Sequence, residues 1–596
     1  MKALTHITKF LNARILLYLV VLVSVYNVAH KSDVYYGWTN HFKADKTIFI
    51  GDGFGYYGYL PQYVIYPEQK HYTFLDSLGK KDPLIRDQFM IPQSETSHVR
   101  ENKFFVGTAL AMSPFFLTNH AFQKLSNGET DGYSFSYRFA IFCGAMFYLL
   151  LGLIGLVKLL KSFAISNLVI ICALIGLVFG TNLTYYASIE FTMSHVYAFA
   201  FCTWFLVFLK KWVESNRSKD FYLAVFFYSF LILIRPVDGL ILLIVPFFFN
   251  SFNAFLERTG ILVKKPKTIL LTFLIFSCFI GIQLLSNYEQ FGTFKLNGYS
   301  NEGFDYLFSP KFIEVLFGYR KGMFLYSPLL LLIIPGFLVL FFKRQYFGVG
   351  SFFVFVVIIW ITSSWWCWYY GGGFGMRPLI DFYSFFVLII TLSLQYFPSL
   401  IRGILLVFSI AFVYFSQVAE YQYVNNIFHW DQMNKHYYWH LFLKEDSRFI
   451  WYPNLQLESE SLPKEVPNKK MRISLNGADK RPNGIYAYNS TQKVFHFYPE
   501  KQHARKYGFL LEGMALITNP NDIDGVELLC FKNTDTIHRK IEYIGNQLRD
   551  INKFEHFQLE FYNSYIQFSD SIQLLIDDHT STRKLKNATI TILMYD

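Results

Sequence analysis

Apolar runs recur from Ile15 to Phe415, about half of them approaching the about 20 residues a helix needs to cross a bilayer, with polar segments between them. They predict about eleven membrane-spanning helices. The first five lie at Ile15 to Ala29, Phe139 to Val157, Phe163 to Gly180, Phe191 to Leu209 and Phe221 to Ile234. The rest lie at Gly239 to Asn250, Thr268 to Leu285, Phe324 to Phe342, Phe347 to Ile361, Phe382 to Leu394 and Ile401 to Phe415. The pair flanking Arg235 is short for two crossings and also fits a re-entrant hairpin. The first run has the basic flank of a signal peptide, but Asn27-Val28-Ala29 is a poor cleavage site, which favours its retention as a helix.

Basic residues orient the runs. Clusters at Lys2, Lys9 and Arg14, at Lys158 and Lys161, from Lys210 to Lys219, from Arg258 to Lys267, at Lys343 and Arg344, and at Arg402 all fall in segments that an N-terminus-inside topology makes cytoplasmic. Three regions are then non-cytoplasmic. One is a long loop, residues 30–138, whose apolar stretch from Phe104 to Phe122, with Pro114, is expected to lie along or dip into the interface. The second runs from Asn287 to Met323, and the third is the tail from about Glu420 to Asp596. Period-2 alternation at Phe557 to Phe568 and Ala588 to Tyr595 reads the tail as a mostly β domain, a sandwich. The predicted architecture is therefore an α-helical multi-pass membrane domain, residues 1–419, followed by a β-rich domain, residues 420–596.

Composition agrees with a bilayer as solvent. Hydrophobic residues make up 53%, aromatic residues 20% and charged residues only 16%, which does not suit a soluble globule. The net charge of +11 does not point to nucleic acid, because the Lys and Arg residues bracket apolar runs instead of forming a stripe. Of six cysteines, Cys143, Cys172, Cys202 and Cys278 lie inside apolar runs and Cys367 and Cys530 outside them, without metal-ligand spacing, so neither a disulfide framework nor a structural zinc is expected.

The chemistry-bearing residues gather on the non-cytoplasmic side. Just after the first run stands Gly51-Asp52-Gly53-Phe54-Gly55-Tyr56-Tyr57-Gly58. Asp52, among glycines that allow close approach and tyrosines with hydroxyl tips, is placed to act as a general base; the plain alternative is a turn acid in a Gly-rich loop. Arg235, in Arg235-Pro236-Val237-Asp238, interrupts an apolar stretch, where a charge is costly unless it faces a partner or a ligand. A guanidinium there suits phosphate oxygens, or simply pairs with Asp238.

Arg320 and Lys321, together with Arg377 at the end of Trp365-Trp366-Cys367-Trp368-Tyr369-Tyr370-Gly371-Gly372-Gly373-Phe374-Gly375-Met376-Arg377, break the positive-inside trend and suggest an anionic ligand. The Trp and Tyr residues alone fit an aromatic belt. Glu190 is a candidate second acid or metal ligand, with His195 sharing its surroundings, although an acid at a helix start is also favoured by the dipole. Tyr56, Tyr57 and Lys103 complete the candidate site, with Asn102 and Asp131 as weaker members. Phosphate-loop, dinucleotide-binding and zinc-protease motifs are missing, so no nucleotide cofactor is expected.

This layout resembles the multi-pass glycosyltransferases of the GT-C fold, the superfamily of protein O-mannosyltransferases and the lipid A aminoarabinose transferase. The resemblance covers about residues 10–420. It rests on one span followed by a long outer loop with Asp52 near its start, on Arg235-Pro236, on Phe317-Gly318-Tyr319-Arg320-Lys321-Gly322-Met323-Phe324, and on the aromatic and Gly-rich run ending at Arg377. It implies an inverting enzyme that takes a sugar from a polyprenyl-phosphate donor and passes it to a lipid, glycan or protein acceptor, with Asp52 matching the first-loop catalytic acid. Many relatives carry two adjacent acids at that point, whereas here Asp52 is followed by Gly53. Whether a divalent metal such as Mg or Mn takes part, and whether Glu190 supplies the second carboxylate, stays open.

Two other readings fit a multi-pass chain: a transporter or flippase, whose polar groups belong near the bilayer midplane, and a non-catalytic anchor presenting the β domain. The expected setting is a bacterial inner membrane, with a cytoplasmic N-terminus and a periplasmic C-terminal domain.

Overall fold

A computed structural model describes residues 2–39, 43, 46–81, 91, 99–299, 302–431, 433 and 435–445, and the strands within 469–595. The chain divides into two compact units, Met1–Glu420 and Tyr421–Asp596. The first is a multi-pass helical unit. Among the described residues, seven helices are long and apolar enough to cross a membrane, and eight if a bent pair counts as one span. That is fewer than the predicted eleven, although every predicted run coincides at least in part with a helix. The shortfall has a physical origin in breaks and short arms. The run Phe163 to Gly180 yields only Asn167–Phe179, 13 residues, because Ser166 caps its start and Gly180 ends it. The run from Phe324 is split by Ser327 and Pro328 into Met323–Tyr326, Pro328–Leu332 and Ile333–Lys343.

The pair around Arg235 breaks for a local reason. Ser218–Ile234 stops at Arg235, whose backbone is extended at φ −150° and ψ 113°, as expected for a residue followed by proline. Pro236 then opens a tight 3-10 segment, Pro236–Phe248, which turns by 107° into Phe252–Val263. At about 2.0 Å per residue such a segment reaches farther than an α-helix of equal length. A short apolar run therefore travels farther than its residue count suggests.

The stretch Phe104 to Phe122 forms the helix Gly107–Leu125, which buries Ala109, Ala111, Met112 and Phe116 and lies against both Asp52–Val64 and Phe135–Ser162. Helix His195–Ser215 is buried along most of its length, between Phe135–Ser162 and Ser218–Ile234. Helices Pro266–Phe291 and Ser399–Val424 instead keep most of their apolar surface outward, as helices facing lipid do.

The second unit contains two antiparallel sheets. One orders its strands β1 (Lys469–Ser474), β9 (Arg583–Tyr595), β4 (Lys506–Ile517) and β7 (Glu555–Tyr562). The other orders β2 (Tyr486–Asn489), β3 (Val494–Phe497), β8 (Ser571–Ile576), β5 (Gly525–Lys532) and β6 (Asp535–Tyr543). Buried residues fall on alternate positions, Phe509 and Leu511, Val526 and Leu528, Leu559 and Phe561, the period of a strand with one covered face, while the central strand β9 is buried continuously from Ile590 to Leu593. Phe497 of one sheet meets Phe509 of the other with ring centres 5.3 Å apart. The alternation read at Phe557 to Phe568 and Ala588 to Tyr595 falls on β7 and β9, and residues 563–568 lie outside the described ones.

Candidate functional site

Five segments, far apart in sequence, bring charged side chains to one end of the helical unit. Asp52 opens the helix Asp52–Val64. Glu190 and His195 border the start of His195–Ser215, Arg235 follows Ser218–Ile234, Lys321 precedes Met323–Tyr326, and Arg377 opens the tight turn Arg377–Phe382. Arg377 Nη2 lies 2.5 Å from Asp52 Oδ2. Arg235 Nη1 lies 2.5 Å from Asp381 Oδ2, and His195 Nδ1 lies 2.9 Å from Asp381 Oδ1. Tyr56 joins the two groups: burial pushes its phenol above the ordinary range, Asp52 adds to this, and Arg235 and Arg377 both oppose it.

Glycines set the approach of the helix Asp52–Val64. A Cβ at residue 53 would stand 2.2 Å from Thr192 Oγ1, and one at residue 55 would stand 2.1 Å from Phe104 Cδ2. Only glycine lets the helix lie this close to the 189–194 turn. That turn is itself held, because the Thr192 hydroxyl donates to the Ile48 carbonyl at 2.9 Å and the Tyr36 hydroxyl donates to the Ile189 carbonyl at 2.8 Å.

The Gly-rich run before Arg377 forms a pinned loop. Asn182 Nδ2 donates to the Phe374 carbonyl at 3.0 Å, the Phe374 amide donates to the Tyr186 hydroxyl at 3.0 Å, and Lys321 Nζ donates to the Gly373 carbonyl. Gly373 has φ +146°, and a Cβ there would lie 2.4 Å from the Tyr186 hydroxyl. Gly371 and Gly375 also have positive φ, +65° and +63°, so glycine at these three positions lets the loop turn before Arg377.

Glu190 is buried. Its Oε1 accepts from the Tyr185 hydroxyl at 2.7 Å, and its Oε2 has no partner among the described residues. Burial pushes its carboxyl above the ordinary range, Arg377, Tyr185 and Lys321 oppose this, and Asp52 adds to it. Asp52 and Glu190 thus lie within electrostatic reach of each other, and both lie within reach of Arg377. Among the described residues, however, no group of three or more His, Cys, Asp or Glu side chains is placed to hold a metal ion.

The remaining sequence candidates divide. Tyr57 turns away from the cluster: its ring sits among Phe49, Tyr133 and Phe116, and its hydroxyl donates to the Gly132 carbonyl. Arg320 lies over the Tyr369 ring, 3.2 Å from its centre, while the neighbouring Lys321 reaches the cluster. Lys103 pairs with Glu302 and lies over the Tyr299 ring, beside the cluster and not within it. Asn102 donates to the Gly55 carbonyl at 2.8 Å and Asp131 caps a turn through the amides of Tyr133 and Ser134, so both act on the fold.

Asp381 escaped the sequence reading. It is completely buried and touches both Arg235 and His195, and Asp238, also buried, lies within interaction range of it. Removing one partner of such a buried pair costs about 3–5 kcal/mol, so Asp381 also anchors three segments to one another. The available signal was an acid inside the apolar run Leu379-Ile380-Asp381-Phe382, four residues after Arg377.

No protein-family model matches the chain, and a search of curated proteins finds no match. Among solved structures, the arabinosyltransferase EmbB from Mycobacterium smegmatis is similar at a TM-score of 0.30 and 8% identity, over 85% of this chain and 61% of that one. This chain thus matches about three fifths of the length of that neighbour. At this score and identity nothing about activity follows from the likeness.

Proposed function

We propose that the chain is an inverting membrane glycosyltransferase, which takes a sugar from a polyprenyl-phosphate donor and passes it to a lipid, glycan or protein acceptor on the non-cytoplasmic face. The observation that carries this reading is the Asp52–Arg377 contact, which joins an acid after the first span to an arginine after the Trp-rich loop. A base and a cationic anion-binder within one contact of each other are the parts that such a transfer needs.

In the proposed reaction Arg377 serves two partners. A guanidinium has five N–H donors, and Asp52 takes one of them through Nη2, while Nη1 makes only long contacts, 3.5 Å to the Gly372 carbonyl and 3.8 Å to the Met193 sulfur. Donor phosphate takes the free side of that fork, with Arg235 and Lys321 adding positive field. Asp52 Oδ1, which has no partner among the described residues, accepts the proton of the acceptor hydroxyl or amine. The acceptor atom bonds to the anomeric carbon as the bond from that carbon to the phosphate oxygen breaks, and the electron pair leaves on the phosphate. Arginine beside that oxygen stabilises the charge as it grows. The isoprenoid tail stays in lipid. The reading places the site on the periplasmic side of a bacterial inner membrane, with the N-terminus cytoplasmic.

The test is turnover by the intact protein in lipid nanodiscs. With a panel of polyprenyl-phosphate hexoses and pentoses plus a membrane extract as acceptor source, at least one donor is expected to release polyprenyl phosphate in a protein-dependent way. No release from any donor would overturn the reading.

A further inference from the structure

The tight turn Arg377–Phe382 carries opposite charges at its two ends. Arg377 reaches Asp52, and Asp381, four residues on, reaches Arg235 and His195. Asp381 has no exposed surface, and its two oxygens go to different partners. A carboxylate can only accept hydrogen bonds, and its 2.9 Å contact outweighs the 3.5 Å approach of Arg235 Nη1 to the same nitrogen, so the neutral imidazole donates from Nδ1. That leaves the lone pair on Nε2, which has no hydrogen-bond partner among the described residues. Arg235 and Arg377 are the cations near this imidazole, and Asp238 is the acid near Asp381. The Tyr186 ring meets His195 edge-on at 5.2 Å, which limits its rotation.

Resting on the glycosyltransferase reading above, we propose that Asp381 is the positioning residue of the site: it fixes the Nδ1–H tautomer of His195, so that Nε2 accepts a hydrogen bond from a sugar hydroxyl, and it holds Arg235 toward the donor phosphate. The ligand class is a polyol beside a phosphate. A neutral imidazole with Nε2 unprotonated accepts from a hydroxyl, whereas the other tautomer would present a donor there. Asp381 thus sets which hydrogen-bonding pattern the sugar must offer.

Two measurements test this on the intact protein in nanodiscs, with D381N, D381E and H195Q checked for folding by thermal unfolding. The first uses no substrate. The nitrogen-15 imidazole spectrum of wild type minus that of H195Q isolates His195 and is expected to show Nδ1 protonated and Nε2 bare, and D381N is expected to lose that signature while D381E keeps it. Nε2 protonated in wild type, or an unchanged signal in D381N, would overturn the proposal. The second is donor turnover. D381N is expected to raise the donor KM and lower kcat/KM on the order of 10²-fold, with partial recovery in D381E, and H195Q is expected to lower kcat/KM with a smaller change in affinity for polyprenyl phosphate alone. Wild-type kinetics in a folded D381N would overturn the proposal. If D381N does not fold, D381E and H195Q carry both arms. Wild type without turnover on any donor contradicts the glycosyltransferase reading and the sugar contact, and the imidazole spectrum still decides the tautomer.

Discussion

Replacing Asp52 by Asn is expected to lower sugar transfer by about 10²- to 10⁴-fold, the range that a positioned general base supplies, in a protein that still folds. The fold should tolerate the change because the Asp52 side chain keeps 26% of its surface in reach of solvent, which screens part of the charge left on Arg377. Asparagine also keeps an oxygen to face Arg377, so the geometry persists while the site for the proton is lost. Donor KM should therefore change far less than kcat. Initial rates of polyprenyl phosphate release at saturating donor, alongside the unfolding temperature, check both halves. Unchanged kcat in the folded variant would place the base elsewhere.

Replacing Arg377 by Gln is expected to lower kcat/KM by at least about 10²-fold, the scale lost when one donor to a developing anion is removed. Both binding and chemistry should suffer, because Arg377 is, among the described residues, the one cation in direct contact with Asp52 and is the group assigned to the donor phosphate. Lysine should restore only part of the loss, since an ammonium cannot hold a carboxylate and a phosphate in one planar fork. Turnover of the Gln and Lys variants across a donor titration separates the two effects. A Gln variant with wild-type kcat/KM would remove Arg377 from the mechanism.

The helices and the sandwich were legible because each depends on one-dimensional periodicity. Apolar runs gave the position of each helix, and alternation at Ala588 to Tyr595 gave β9. Span number was less legible, since proline and serine at Arg235-Pro236 and Ser327-Pro328 break apolar runs into pieces that composition alone does not reveal. In the site, the charges that stood out against an apolar background, Asp52, Arg235, Lys321 and Arg377, come together. Tyr56 and Tyr57 were indistinguishable in sequence because both follow the same acid, yet successive helix positions are about 100° apart, which sends one to the cluster and the other to the Phe49 and Tyr133 packing. Arg320 and Lys321 stand in the turn between Phe312–Phe317 and Met323–Tyr326, which sends one side chain to the Tyr369 ring and the other to the Gly373 carbonyl. Asp381 does not stand out by charge pattern as the outlying basic residues do, although an acid inside an apolar run is itself a signal of function or pairing.

The central claim is that one cluster, Asp52 with Arg377, Arg235 and Lys321, receives the phosphate of a lipid-linked sugar. A cryo-EM structure of the nanodisc-embedded protein with bound polyprenyl phosphate tests this most directly. The account predicts phosphate density within hydrogen-bonding distance of Arg377, on the Nη1 side, with Asp52 still beside the guanidinium and the isoprenoid running out along the helices into lipid. Phosphate bound away from Arg377 and Arg235, with the cluster unchanged from its present contacts, would contradict it.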